Sequence, residues 1–151
     1  MNDPTNVLLI DDDVTVAMTL GAVLELENYQ VGIGHSISEM RALLDTTRFD
    51  IAIVDLRLGD EDGMQAIAVL RDHQPQCMSI VLTGYPTPDS MLAALRLHVV
   101  DFLTKPCDLE QLKEAVFAAK KQADTLRACR ACFDEMKLKN SLIHSESPSL
   151  K

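Results

Sequence analysis

Five side chains capable of ionic chemistry stand where apolar runs stop. Asp11 and Asp12 follow residues 7–10, Asp55 follows residues 51–54, Thr83 follows residues 80–82, and Lys105 follows the run that contains Phe102 and Leu103. If these runs are parallel strands of one sheet, all five side chains converge on one edge. In open α/β sheets, ligands bind outside the carboxyl ends of the strands, where the strand order reverses. Crowded carboxylates repel, so a site holding Asp11, Asp12 and Asp55 calls for positive charge. Lys105 supplies one cation. The remaining oxygens suit Mg²⁺, which favours octahedral oxygen coordination by one or two carboxylates, waters and a phosphate. The chemistry these residue types imply is phosphoryl transfer.

The elements that must position these groups follow from periodicity. Strand-like runs at 7–10, 31–33, 51–54, 80–82 and 101–103 alternate with helical patterns at 14–27, 38–44, 64–71, 89–97 and from 109 onward. Strict alternation predicts a parallel sheet covered on both faces. Ser36 with Glu39 and Asp108 with Gln111 have capping-box spacing, and Thr87-Pro88 sets a cap residue before proline at a first helical position. Right-handed crossovers leave few topologies. A flavodoxin-like, doubly wound five-stranded sheet in the order 2-1-3-4-5 sets the first and third strands side by side, and with them Asp11, Asp12 and Asp55. Beyond the fifth strand, Leu109, Leu112, Val116, Ala119, Ala123, Leu126 and Phe133 fit a heptad seam broken by Arg130. Residues 1–122 are therefore read as one domain. Residues 123–151 are read as a helical extension that turns polar from Lys139, as a linker or tail would.

The 151 residues are 47% hydrophobic, ample for one packed domain. With 14 Lys and Arg against 23 Asp and Glu, the formal net charge of −9 opposes direct nucleic-acid binding and gives no attraction to anionic membranes. There is no apolar run of spanning length and no secretory-type start, and Cys77, Cys107, Cys129 and Cys132 lack a disulfide framework, so the expected location is cytoplasmic. Cys129 and Cys132 have the spacing of half a zinc site with His144 as a lone third ligand, but the helical context makes them ordinary helix cysteines.

Taken together, residues 5–122 resemble the response-regulator receiver domain of two-component signalling. The resemblance rests on Val7-Leu-Leu-Ile-Asp11-Asp12-Asp13, Ile51-Ala-Ile-Val-Asp55-Leu-Arg-Leu, Asp62-Gly63, Val81-Leu-Thr83-Gly84 and Asp101-Phe102-Leu-Thr-Lys105-Pro106, all in order. It implies that Asp55 accepts a phosphoryl group from a phosphohistidine on a histidine kinase or phosphotransfer protein. It further implies Mg²⁺ held by Asp12, Asp55 and the backbone carbonyl of Arg57, with Asp11 acting directly or through water. By the same resemblance Lys105 bridges to Asp55 and then to the phosphoryl group, and a cis peptide precedes Pro106. Thr83 and Phe102 form the switch: the hydroxyl moves onto the phosphoryl group and the ring turns into the space it leaves.

What the resemblance implies for function is a signalling switch that phosphorylates and dephosphorylates itself and turns over no metabolite. The partners are a kinase or phosphotransfer protein and a downstream protein or appended output domain; the heptad pattern of the last helix fits either packing on the domain followed by a solvated end or pairing with a second copy through the C-terminal helix. One alternative is a receiver cut from a larger regulator with a DNA-binding, ATPase or cyclic-nucleotide output; another is a Mg²⁺-dependent phosphatase with an aspartyl nucleophile. Three positions depart from the family pattern. Gly59 replaces a common proline, removing a rigid φ from the loop after Asp55. His98-Val99 replaces Gly-Ala, at a cost of order 1 kcal/mol if the turn needs a left-handed residue, and argues against the usual dimer through that face. Arg57 and Tyr85 occupy positions that tune phosphoryl lifetime.

Overall fold

The computed structural model describes residues 3–146. Its central sheet contains β1 (Asn6–Ile10), β2 (Gln30–Gly34), β3 (Ile51–Val54), β6 (Met78–Thr83) and β7 (Asp101–Thr104), all parallel, in the order β2-β1-β3-β6-β7. A small antiparallel pair, β4 (Arg57–Leu58) and β5 (Glu61–Asp62), lies outside that sheet. With the pair set aside, the order is the 2-1-3-4-5 expected from sequence. The helices are α1 (Val14–Leu26), α2 (Ile37–Thr46), α3 (Gly63–His73), α4 (Pro88–Arg96) and α5 (Leu109–Glu146).

Successive residues of a strand point to opposite faces, and the core divides accordingly. Leu8, Ile10, Ala52, Val54 and Val81 pack with Met40, Ile67 and Leu70 of α2 and α3. Val7, Leu9, Ile51, Ile53 and Ile80 pack with Leu24 of α1 and with Leu112 and Val116 of α5. Burial on both faces explains why these strands read as unbroken apolar runs. Each large side chain so buried contributes on the order of 1.5–3 kcal/mol.

Helix starts follow the expected chemistry, with refinements. Ser36 Oγ accepts from the Glu39 amide at 3.1 Å. Thr87 and Ser90 form a reciprocal capping box with Pro88 at the first position. Asp108 instead accepts from the Glu110 amide, one residue earlier than the expected partner Gln111. Asp13, the third acid of the first cluster, caps α1 through the Val16 amide. Helix α5 is continuous to Glu146, so Asn140, Ser141 and Ser145 are helical rather than part of a linker; the polar tail at Ser147, Pro148 and Ser149 lies outside the described residues. The domain boundary expected at residues 122–123 falls within this uninterrupted helix.

Two backbone constraints sit at the turns. His98 has φ 58°, so the turn from α4 to β7 does require a left-handed residue, as the sequence departure anticipated. At Gly63 a Cβ would stand 2.1 Å from the backbone oxygen of Asp55, so only glycine lets α3 begin directly against the β3 exit. His98→Gly should therefore raise stability by about 0.5–1 kcal/mol, the relief of the left-handed strain less the entropy of the new glycine. Gly63→Ala should lower it by about 2 kcal/mol or more, because backbone must move. Urea unfolding of the two variants checks both signs.

Candidate functional site

Strand register brings the acids together. Ile10 pairs with Val54, and the Asp55 amide donates to the Ile10 carbonyl at 2.9 Å, so Asp11 and Asp55 leave neighbouring strands at the same level. Ligand oxygens of Asp11, Asp12 and Asp55 lie within 4.8 Å of one another. Lys105 arrives from β7, where its amide donates to the Thr83 carbonyl at 2.8 Å, and the Lys105-Pro106 peptide is cis. Its ammonium donates to Asp11 Oδ2 at 2.6 Å and to Asp55 Oδ2 at 2.8 Å. Asp11 and Asp55 are buried and Asp12 is exposed, so the cluster opens to solvent on one side.

Electrostatics at this edge are finely opposed. Burial pushes the Asp11 carboxyl above its ordinary value, although the Lys105 ammonium and the Asp13 amide pull the other way. Burial alone would lower the Lys105 ammonium; the hydrogen bonds and charges of Asp11 and Asp55 overcome that and hold it above the usual lysine range. Asp11 Oδ1 accepts from the Asp13 amide at 2.9 Å and Asp55 Oδ1 from the Arg57 amide at 3.1 Å. Asp11 and Asp55 are thus each oriented by a backbone donor from the loop that follows them.

Three acid groups that share one lysine still carry surplus negative charge. Their oxygen-only donor set, open to solvent at Asp12, fits a hard divalent cation such as Mg²⁺ or Ca²⁺ and does not fit a thiolate- or imidazole-seeking metal. Among the described residues no other group of His, Cys, Asp and Glu has this geometry. Cys129 and Cys132 are exposed free thiols, and the side chain of His144 lies outside the described residues.

The remaining expected residues surround this cluster. Thr83 is buried at the carboxyl end of β6, and its hydroxyl oxygen accepts from the Tyr85 amide at 3.2 Å. Phe102, half-buried on β7, pairs in register with Val81, so it shares a sheet face with Thr83 on the adjacent strand. Arg57 sends its guanidinium over the Tyr85 ring, 4.0 Å from the centroid, joining the loops after β3 and β6.

Three site contacts escaped the sequence reading. Gly59 has φ 63° in the β4–β5 turn, and its amide donates to Asp12 Oδ2 at 2.9 Å. Proline could neither adopt that φ nor make that bond, so here the glycine ties the loop to the acidic cluster. His35 Nδ1 lies 2.8 Å from the Asp11 carbonyl oxygen, bringing the β2 exit into the site. Glu61 Oε1 accepts from the Ile37 amide at 3.1 Å, fixing the small hairpin against the start of α2. A positive-φ turn leaves a signal only in its glycine; the two long-range contacts leave none.

Comparison with known proteins agrees with this geometry. Residues 7–117 match the family model of the response regulator receiver domain. The chain is 30% identical over 144 residues to the alginate biosynthesis transcriptional regulatory protein AlgB of Pseudomonas aeruginosa, covering 95% of this chain and 32% of AlgB. It is 33% identical over 113 residues to the photosynthetic apparatus regulatory protein RegA of Cereibacter sphaeroides, covering 75% of this chain and 61% of RegA. It therefore spans only part of both relatives. Among solved structures, a response regulator protein from Burkholderia pseudomallei with a phosphorylated aspartic acid, calcium ion and citrate aligns with a TM-score of 0.72 at 28% identity, covering 95% of this chain and 87% of that one. With the sheet order, the clustered carboxylates and the matched residues all in agreement, this chain belongs to the response-regulator receiver family.

Proposed function

We propose that this receiver accepts a phosphoryl group on Asp55 in a Mg²⁺-dependent reaction and thereby changes its affinity for a partner. The observation that carries the reading is the Lys105 ammonium held between the Asp11 and Asp55 carboxylates with Asp12 beside them. An Asp55 oxygen attacks phosphorus, the N–P bond of a phosphohistidine breaks, and the imidazole departs with the bonding pair. Asp12, Asp55 and the Arg57 carbonyl would hold Mg²⁺, with Asp11 acting directly or through water. When bound, the ion neutralises charge on the phosphoryl oxygens. Lys105 follows the charge, exchanging an Asp55 oxygen for a phosphoryl oxygen. As a compact point charge it suits that exchange better than a flat guanidinium. Thr83 Oγ then exchanges the Tyr85 amide for the phosphoryl group, and Phe102 shifts toward the space opened on the shared face, passing the change to α4 and β7.

The phosphodonor is a histidine kinase or phosphotransfer protein, and the reader is a downstream protein, an output domain on the same polypeptide, or a second copy joined through α5. AlgB and RegA both extend well beyond the matched region, which favours the reading of a receiver within a longer regulator. The chain modifies itself and turns over no metabolite. No helix among the described residues is long and apolar enough to cross a membrane.

Incubation with acetyl phosphate and Mg²⁺ should add one phosphoryl group by intact mass to the native chain and none to Asp55→Asn; an adduct on the variant would place the acceptor elsewhere. Stability should respond to the same charges. Lys105→Ala leaves Asp11 and Asp55 uncompensated and should cost about 2 kcal/mol or more without metal, with Mg²⁺ recovering part of the loss. Asp11→Asn should do the reverse: the raised carboxyl means that the fold disfavours this charge, so the metal-free melting temperature should rise while the gain on adding Mg²⁺ shrinks. Thermal melts with and without Mg²⁺ check both.

A further inference from the structure

The peptide bond between Asp11 and Asp12 joins two acids of the cluster, and its carbonyl lies just past the end of the sheet. Strands β1 and β2 run in register as far as Ile10 opposite Gly34, and the Asp11 amide makes one further bond to the Gly34 carbonyl at 3.1 Å. Beyond that point β2 has ended and the chain turns into α2. There the Asp11 carbonyl is met by a side chain, His35 Nδ1, at 2.8 Å. A carbonyl oxygen only accepts, so this ring nitrogen carries a hydrogen and donates it. The backbone that aims the ring is itself held: the His35 amide donates to Glu39 Oε2 at 3.2 Å in the first turn of α2, and the Ile37 amide donates to Glu61 Oε1 at 3.1 Å in the β4–β5 hairpin. His35 is half-buried and lies outside both apolar clusters, so its bond bears on the sheet edge more than on the core.

We infer that His35 is a positioning residue for the cation site, acting through the Asp11–Asp12 peptide. This rests on the reading of the acidic cluster given above and deepens it. The physical link is planarity: the six atoms of a peptide unit, here including the Cα atoms of Asp11 and Asp12, lie close to one plane. Fixing the carbonyl at the edge of that plane fixes the direction in which Asp12 leaves it. Both carboxylates depend on that direction. Asp11 accepts from the Asp13 amide at 2.9 Å and from Lys105 at 2.6 Å, while Asp12 accepts from the Gly59 amide at 2.9 Å. Without the imidazole bond the plane is free to rock, and a rocking carboxylate spends part of its time away from the place an octahedral cation requires. Groups that orient a metal's ligands without touching the metal are worth about tenfold or more in its affinity. His35 stands in that relation to Asp11 and Asp12.

Two substitutions separate the hydrogen bond from the bulk of the ring. His35→Phe keeps a flat ring and removes the donor, whereas His35→Asn returns an N–H on the atom bonded to Cγ, where Nδ1 stands in histidine. Calorimetric titration of the full chain with Mg²⁺ should show affinity lowered about tenfold in His35→Phe and most of it recovered in His35→Asn. Amide hydrogen exchange without metal should quicken at Asp13 and Gly59 in His35→Phe, because those amides report where the Asp11 and Asp12 carboxylates sit, and should return toward the native rate in His35→Asn. His35→Ala takes the place of the phenyl variant if that chain does not fold. Native Mg²⁺ affinity in a folded variant without the donor would overturn the proposal, even with a lowered melting temperature, and so would a loss that His35→Asn does not recover. The acetyl phosphate adduct is read on the same proteins. Its absence from the native chain, with the effect of His35 on Mg²⁺ intact, would sink the phosphoacceptor reading and leave the positioning role standing.

Discussion

The ammonium of Lys105, bonded at once to Asp11 and Asp55, is the interaction on which the rest depends. Three carboxylates within 4.8 Å of one another would be driven apart in a low-dielectric sheet edge without it. Breaking such a part-buried contact leaves an uncompensated charge, which costs far more than the pair contributes net. The fold is arranged so that this contact forms: β1 and β3 are neighbours at the switch point, and β7, at the far edge of the sheet, delivers a side chain long enough to reach back across β6.

One lysine is insufficient for three acids, and that deficit connects structure to function. Three carboxylates are grouped around a single ammonium, so the site keeps surplus negative charge on its open side at Asp12. In the proposed reaction a phosphoryl group arriving with a divalent cation would offset that charge and offer Lys105 a new partner. Such a change would be local, yet it would reach the ends of β3, β6 and β7 together, since Thr83 and Phe102 share a face on adjoining strands. A receiver needs that coupling between one modified carboxylate and a displaced surface.

Much of this was legible in the chain because parallel strands buried on both faces must read as apolar runs, and their ends must carry whatever polar groups the edge uses. Asp11, Asp55, Thr83 and Lys105 are visible for that reason. Asp12 and Asp13 look alike in sequence, but one belongs to the cluster while the other caps α1, a distinction set by backbone direction within two residues. The β4–β5 hairpin was invisible because two-residue strands carry no periodicity. Gly59 read as the loss of a rigid residue, whereas its positive φ and its bond to Asp12 make it a fixed point of the loop. Within α5 the sequence pattern runs on without a break, and only burial separates core-facing Leu112, Val116, Ala119 and Ala123 from exposed Leu126 and Phe133.

On the proposed reading the acidic cluster, short of positive charge, binds a divalent cation for phosphoryl transfer. Calorimetric titration of Mg²⁺ into the unphosphorylated chain and into Asp12→Asn tests it most directly. Saturable one-to-one binding is expected, weakened at least about tenfold in the variant, since an octahedral oxygen site loses a charged ligand. Absence of saturable binding, or equal affinity in the two proteins, would contradict it.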